Sequence, residues 1–465
     1  MRDLWLLLAL AVGCAHALAE PPANLVFIVA DDLAWNQVGY HGTDFYETPN
    51  IDAIAREGMH FSNAYAANPV CSPTRASLMT GKNPARLGIT DYIPGSPYPY
   101  ARLRRPSAAP GLALEEVTIA EMMRGLGFAT GHFGKWHLNI DKHYAPDRPG
   151  DPASQGFDDV LTSVKPEYEA DPSADAHNAN EITKRSLAFI DANKDRPFFL
   201  YVPHHTVHRP LLEKPELIAK YQAKPNSDAA INNPVMGAMI ETMDIGIGRI
   251  LDRLQTHGLS ERTIVIFYSD NGGLEQLQSQ APFRGGKAML WEGGLRVPLA
   301  VKWPGVVEAG TSSDVLITSD DFLPTIADIL GVTNLPTDID GLSLLPVLNG
   351  SGRLDRTTLF FHYPHYHHLG YAPAGAMRQG NYKLIEWFEG TIAGIGPTAS
   401  LFDLGKDPGE ANDIAAAHPK LLRQMRARLA TWRRTVGAGE MTINPDFDPE
   451  RAHWQFINGH GGDSR

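Results

Sequence analysis

The chain reads as an α/β fold: a large mixed, mainly parallel sheet sandwiched by helices, then a smaller C-terminal antiparallel sheet plus a helix. Three observations predict it. Several apolar runs are too continuous for strands with one wet face, which suits strands buried on both sides. Segments of helical period lie between those runs. The runs also end in polar residues, and in parallel sheets ligands gather at the carboxyl ends of strands.

Leu25 to Ala30 is the first buried strand and ends at Asp31-Asp32. Ala129 to Phe133 is weaker and runs into Gly134-Lys135-Trp136-His137. Pro197 to Val202 ends near His204-His205, and Thr263 to Ser269 ends at Asp270-Asn271. Ile51 to Gly58, Thr118 to Gly125, Asn180 to Asn193 and Asn233 to His257 repeat apolar residues near i, i+3, i+4 and i+7, as amphipathic helices do. Past residue 350 the pattern changes. Leu359 to Phe361, Ala376 to Arg378 and Tyr382 to Trp387 are short strand-like pieces, and Pro419 to Val436 is helical. The expected organisation is a leader over 1–19, a main α/β domain over 20–350 and a C-terminal subdomain over 351–465. The Pro-rich stretch Tyr92 to Pro110 reads as a long surface loop of the kind that walls a substrate site.

The leader rests on Arg2, an apolar run from Leu4 to Val12 that is too short to span a bilayer, and the small-x-small site Ala17-Leu18-Ala19. It predicts an exported protein, periplasmic or secreted. Lipid attachment at Cys14, after Ala11-Val12-Gly13, is an alternative, and a buried first helix is another. No later stretch is long and apolar enough for a transmembrane helix. If Cys14 leaves with the leader, Cys71 is the remaining cysteine and no internal disulfide can form. The length of 465 residues suits one large domain or a large and a small one. With 43% hydrophobic and 20% charged residues the composition is globular rather than disordered. A net charge of −12 argues against a general nucleic-acid binder.

Asp31, Asp32, Asp270 and Asn271 would bring four oxygen donors to one sheet edge, a set suited to a hard divalent cation. Helix or turn capping is the alternative for either pair alone. Cys71-Ser72-Pro73-Thr74-Arg75 places a cysteine at a helix start with an arginine one turn on, where an anion is stabilised. A buried cysteine near a helix start is the plain alternative. Lys135 and His137 share one side of an extended segment and could present a cation and a proton-transfer group to one anion. Lys287 and Arg284 add cations in a Gly-rich loop, although each alone could be a solvated surface residue. His204, His205 and His208 could bind zinc, but no other zinc-like ligand set is evident.

Together these residues resemble the type I formylglycine-dependent sulfatase family of the alkaline phosphatase-like superfamily. Cys71-Ser72-Pro73-Thr74-Arg75 matches the family's C-x-P-x-R signature. The likeness continues through Gly134 to Leu138, Ser269 to Gly272, Trp291 to Pro298, and Leu401 to Leu404 with Asp407, Pro408 and Glu410. The resemblance implies that a formylglycine-generating enzyme oxidises Cys71 to an aldehyde. Its hydrate would attack sulfur, and the sulfate would pass to the enzyme and then be released. It implies one Ca²⁺ held by Asp31, Asp32, Asp270 and Asn271 and touching the converted Cys71. Arg75 would orient the nucleophile. Lys135, His208 and Lys287 would bind the sulfate oxygens, and His137 would take the proton that triggers release. His208 is preferred because Val207-His208-Arg209-Pro210 matches the family's His-x-Pro pattern, with His205 the competitor. Ser163, after Gly156-Phe157-Asp158, is a weaker contact.

The segment from His362 to Tyr366, with Ala372, Pro373 and Arg378 to Trp387, resembles bacterial polysaccharide sulfatases. It implies a sulfated carbohydrate, with galactose or N-acetylgalactosamine sulfate favoured. Arg102, Arg104 and Arg105, with His362, His365, His367 and His368, are the expected substrate contacts. Rival readings are a phosphate or phosphonate monoester hydrolase of the same superfamily, a thiolate hydrolase using Cys71, and a non-catalytic binder of sulfated glycans.

Overall fold

The computed structural model describes residues 24–140, 144, 147–457 and 460–462. The expected leader and Cys14 lie outside the described residues. The main sheet has eight strands: β1 (Asn24–Ala30), β2 (Met59–Phe61), β3 (Ala129–Gly134), β4 (Asp159–Thr162), β5 (Phe198–Pro203), β6 (Thr263–Ser269), β7 (Leu299–Lys302) and β8 (Thr311–Ser313). Their spatial order is β8-β2-β7-β6-β1-β5-β3-β4. Neighbours are parallel except at β7, which is antiparallel to both β6 and β2. The four apolar runs read from sequence are β1, β3, β5 and β6.

Alternate residues of the central strands enter two separate cores, because successive side chains leave a strand on opposite faces. Leu25, Phe27 and Val29 of β1, with Ile264, Ile266 and Tyr268 of β6, pack on Met79, Ile119, Met123 and Phe322. These come from helices α2 (Cys71–Thr80), α3 (Ile119–Gly125) and α6 (Phe322–Ile329). Val26 and Ile28, with Val265 and Phe267, pack on Ile51, Ile182, Ile190, Met239 and Ile247. These come from α1 (Pro49–Arg56), α4 (Ala179–Asn193) and α5 (Pro234–Thr256). The result is a three-layer sandwich. Thr118 starts α3 with a capping box: its hydroxyl accepts from Glu121 N at 3.0 Å, and Glu121 returns to Thr118 N at 2.9 Å.

The C-terminal part is a four-stranded antiparallel sheet of β9 (Thr358–Tyr363), β10 (Ala374–Gln379), β11 (Tyr382–Trp387) and β12 (Ala399–Asp403), in that order. Helix α7 spans Pro419–Val436. One face of this sheet carries Met377, Leu384 and Leu401 against Met425 and Leu429 of α7. The other carries Phe361, Ala376, Ile385 and Phe402 against Tyr65, Leu290 and Trp291 of the main domain. β12 was not expected as a strand. The 92–110 stretch is not wholly loop either, because Leu103–Arg104 pairs antiparallel with Thr442–Ile443.

Candidate active site

The ends of β1, β3, β5 and β6 and the start of α2 meet at one edge of the main sheet. Backbone bonds tie these ends together: Asp31 N donates to Thr206 O at 2.8 Å, and Lys135 N to Pro203 O at 2.7 Å. Two glycines allow the approach. A Cβ on Gly134 (φ 134°) or on Gly272 would sit 1.8 Å from a neighbouring carbonyl oxygen. Asp32 (φ 62°) and His137 (φ 57°) hold left-handed backbone, an unfavourable state for non-glycine residues that recurs at functional sites.

Cys71 is the first residue of α2, which is buried along its whole length. Its Sγ lies 3.3 Å from Asp31 Oδ1, 4.0 Å from Asp32 Oδ1 and 3.4 Å from Lys287 Nζ. Arg75, one turn on, donates Nε to Asp270 Oδ2 at 2.8 Å and Nη1 to Lys135 O at 3.2 Å. Lys135 Nζ is 2.7 Å from Asp31 Oδ2, and Lys287 Nζ is 2.6 Å from Asp32 Oδ1. Three carboxylates therefore face three cations in a buried pocket.

Burial works to raise the Asp31 pKa, but Lys135, His208, Arg75 and Lys287 outweigh it and hold the carboxyl well below its usual range. Burial and the charge of Asp31 push Asp270 up to about 6. Burial and Asp31 also drive the Cys71 thiol up, which keeps it protonated and makes it a poor thiolate nucleophile. Lys135 and Lys287 rise despite burial, through Asp31 and Asp32 respectively, and stay charged.

The donor set fits a hard cation. Ligand atoms of Asp31, Asp32, Cys71 and Asp270 lie within 4.8 Å of one another. Asn271 Nδ2 donates to Asp32 Oδ1 at 2.7 Å, while its buried Oδ1 has no hydrogen-bond partner. A buried carbonyl oxygen left over beside three carboxylates is what an oxygen-coordinated divalent ion satisfies. Such an ion would turn a balanced cluster into a positive one, and an anionic ester would then restore neutrality.

His208 reaches this cluster, with Nε2 3.8 Å from Asp32 Oδ2 and Nδ1 2.6 Å from Arg209 O. His205 Nε2 instead lies 3.0 Å from both Ser163 O and Oγ. His137 Nε2 is 2.9 Å from Ile93 O. The loop around Ile93, read from sequence as a substrate wall, also holds the start of α2, because Ile93 N donates to Ser72 Oγ at 3.0 Å. Short polar-to-backbone bonds of this kind leave no motif in a sequence.

The expected substrate contacts divide. His367 and His368 are near enough to Lys287 for its charge to lower both pKa values, after burial as the main cause for each. His367 also packs against Tyr92, with ring centroids 5.8 Å apart. Arg105 Nη1 lies 3.9 Å from Asp91 Oδ2, beside the same loop. The others do not line the pocket, although His365 Nδ1 lies 3.8 Å from the same Asp91 Oδ2 as Arg105. His362 is buried with Nε2 2.8 Å from Gly439 O, and His365 is buried with Nε2 2.9 Å from Thr90 Oγ1. Arg104 pairs with Asp446 at 2.9 Å, and Arg102 covers the Phe447 ring at 4.3 Å.

A nucleophile position at a helix start, three converging cations and an oxygen cage together define a hydrolase of anionic esters. The sulfatase family model matches residues 23–332, and the model of the N-sulphoglucosamine sulphohydrolase C-terminal region matches residues 285–435. The chain belongs to the sulfatase family and is a sulfuric ester hydrolase. Human arylsulfatase A is 32% identical over 90% of this chain and 89% of its own length. The N-acetylgalactosamine-6-sulfatase of Canis lupus familiaris is 29% identical over 94% of this chain and 91% of its own. Among solved structures, Ps i-CgsB in complex with k-i-k-neocarrahexaose superposes with a TM-score of 0.73. It has 26% identity and covers 89% of this chain and 93% of that one. Among the described residues no helix is long and apolar enough to cross a membrane.

Proposed function

We propose that the chain is an exported carbohydrate sulfatase that removes sulfate from a galactose or N-acetylgalactosamine unit. The observation that carries this reading is the convergence of Cys71, Arg75, Lys135, Lys287 and His208 on one buried pocket beside an oxygen cage. The N-acetylgalactosamine-6-sulfatase relative and the hexaose-bound neighbour support the sugar.

Cys71, oxidised by a formylglycine-generating enzyme, would supply an aldehyde hydrate as nucleophile. A Ca²⁺ held by Asp31, Asp32, Asp270 and Asn271 would neutralise charge on the reacting oxygens. The remaining work belongs to the side chains. Arg75 is pinned by Asp270 and holds the nucleophile's orientation. Lys135 and Lys287 are kept charged by Asp31 and Asp32 and clamp the sulfate oxygens. The Arg209 carbonyl can only accept, so the neutral His208 ring carries its proton on Nδ1 and turns Nε2 to the pocket. Burial, then Lys287, keeps that ring neutral. A bound anion offsets Lys287 and favours the imidazolium, whose Nε2–H then protonates the leaving oxygen. His137 donates Nε2–H to Ile93 O, which aims its ring and lets Nδ1 take the proton that releases sulfate. His367, His368 and Arg105 form the sugar-facing rim.

The test is the intact mass of the Cys71 peptide from protein made with a formylglycine-generating enzyme, followed by sulfate release from sulfated sugars. An aldehyde or its hydrate, with turnover of sulfate esters above phosphate and phosphonate esters, is expected. An unmodified thiol, where a control substrate of that enzyme is converted, would overturn the mechanism.

A further inference from the structure

We propose that the solvent face of α7 is a second docking surface, remote from the reaction pocket, for a linear sulfated polysaccharide. The choice of occupant rests on the carbohydrate-sulfate reading above.

The helix contains no acidic residue between Pro419 and Val436, in a chain whose net charge is −12. Its cations fall into two sets. Arg426 and Arg433 point back to the sheet and are neutralised by Glu386 at 3.0 and 2.7 Å, with Glu440 also on Arg433 at 3.1 Å. Lys420, Arg423, Arg428 and Arg434 are exposed, and among the described residues none has a carboxylate within ion-pair distance. Arg428 and Arg434 reach only hydroxyls, those of Thr358 and Thr431.

Some cations elsewhere are paired, and unpaired exposed ones such as Lys194, Arg249 and Arg262 do not gather four to a helix. Lys184 pairs with Glu181, Arg185 with Asp159, Lys220 with Glu47 and Glu241, and Lys302 with Glu57. The α7 row is thus a local surplus of positive charge on an acidic protein. At helical spacing, positions 420, 423, 428 and 434 share one side of the helix and cover about 21 Å along its axis. A row of that length matches a chain carrying repeated anions better than a single small anion. Met425 and Leu429 bury the opposite side of α7 against the C-terminal sheet, whose other face meets the main domain. The sheet therefore lies between this row and the pocket, so the row can hold polymer without touching the reacting group. Raising the local concentration of sulfate esters in this way acts on binding rather than on chemistry.

The experiment compares the full-length matured enzyme with a variant carrying Lys420→Gln, Arg423→Gln, Arg428→Gln and Arg434→Gln. Gln keeps helix propensity, and unchanged thermal unfolding verifies the fold. A second variant, with Arg→Lys at the three arginines, preserves the charge. Binding is read on immobilised sulfated galactan, on its desulfated form, on duplex DNA and on phosphatidylserine vesicles, at low and high salt. The Gln variant should bind sulfated galactan about tenfold more weakly at low salt, with the gap closing at high salt. Its KM for the polymer should rise with kcat unchanged, its turnover of a small aryl sulfate should not move, and the Arg→Lys variant should behave as wild type. Equal binding by wild type and Gln variant would overturn the proposal. So would equal wild-type affinity for the desulfated galactan, or tighter binding of DNA or vesicles. If no sulfated sugar is turned over yet the charge-dependent binding persists, the substrate reading fails and the surface stands.

Discussion

The charges beneath Cys71 and the charges around Glu292 are both shut away from water, yet they are arranged differently. Around Glu292 the carboxylate is saturated. It takes Tyr65 Oη at 2.5 Å, Arg296 Nη2 at 2.6 Å and Lys383 Nζ at 3.0 Å, and Lys383 also meets Glu410 at 2.9 Å. Burial works against its ionised form, but Lys383, Arg296 and Arg378 hold Glu292 well below the usual carboxylate range. These residues come from both parts of the chain, and Lys383 is 0% exposed, so the cluster stitches the C-terminal sheet to the main domain. Beneath Cys71 three carboxylates crowd together and the amide oxygen beside them has no hydrogen-bond partner, whereas Glu292 and Glu410 share Lys383 between them. A closed cluster is a fastening. An open one is a receptor, because its remaining demand is for something from outside.

The difference can be broken from either side. Cys71→Ala should remove about a thousandfold or more of sulfate-release activity while leaving the thermal midpoint nearly unchanged, as kinetics and calorimetry on one preparation would show. Lys383→Met should do the reverse. Leaving Glu292 without its lysine should cost about 3–5 kcal/mol in denaturant unfolding, with aryl sulfate turnover by the folded fraction kept within about tenfold. If Lys383→Met abolishes turnover without destabilising the protein, the two clusters are not separate in role.

Metal removal sharpens the contrast. Exhaustive chelation should lower both activity and thermal midpoint, and Ca²⁺ at a hundred times its Kd should restore about 2.7 kcal/mol. Lys383→Met should leave that response intact, whereas Asp270→Ala should abolish it.

A smaller effect concerns pH. Burial, opposed by Lys383, raises Glu410 to about 7 from its ordinary 4.5. Between those values the folded protein holds a proton that the unfolded chain has released. The associated stability is therefore full below about pH 4.5 and lost as pH rises through 7, by roughly 3 kcal/mol. Glu410→Gln should flatten that slope in unfolding measurements across the window. The smallest change is His368→Ala at the rim, which should alter preference among sulfated sugars by severalfold and leave a small aryl sulfate unaffected.

Much of the pocket was legible because its parts sit where buried strands stop. A parallel strand covered on both faces shows as an unbroken apolar run, so the polar residues after β1, β3 and β6 stand out. The short strands Met59–Phe61 and Thr311–Ser313 did not, since three residues give no period to read. Which histidine after β5 enters the pocket was open for the same kind of reason. His205 and His208 are separated by a backbone turn, and only the folded chain shows His208 meeting Asp32. The His/Tyr composition around His362 and His365 suited a ring-shaped ligand or a domain-interface patch equally, and their rings turn inward to Gly439 and Thr90. Glu292 was visible within a motif, yet its role was hidden because its partners lie at positions 65, 383 and 410.

The reversed direction of β7 has a further consequence. Leaving β6 at the ligand edge, the chain needs no crossover to the far end of the sheet, because an opposed strand is entered from the edge it has just left. The whole excursion over 272–298, with Lys287 and Glu292 aboard, therefore stays on the working side. Its exposed stretches at 275–276 and 281–282 can therefore change length without re-threading the sandwich beneath.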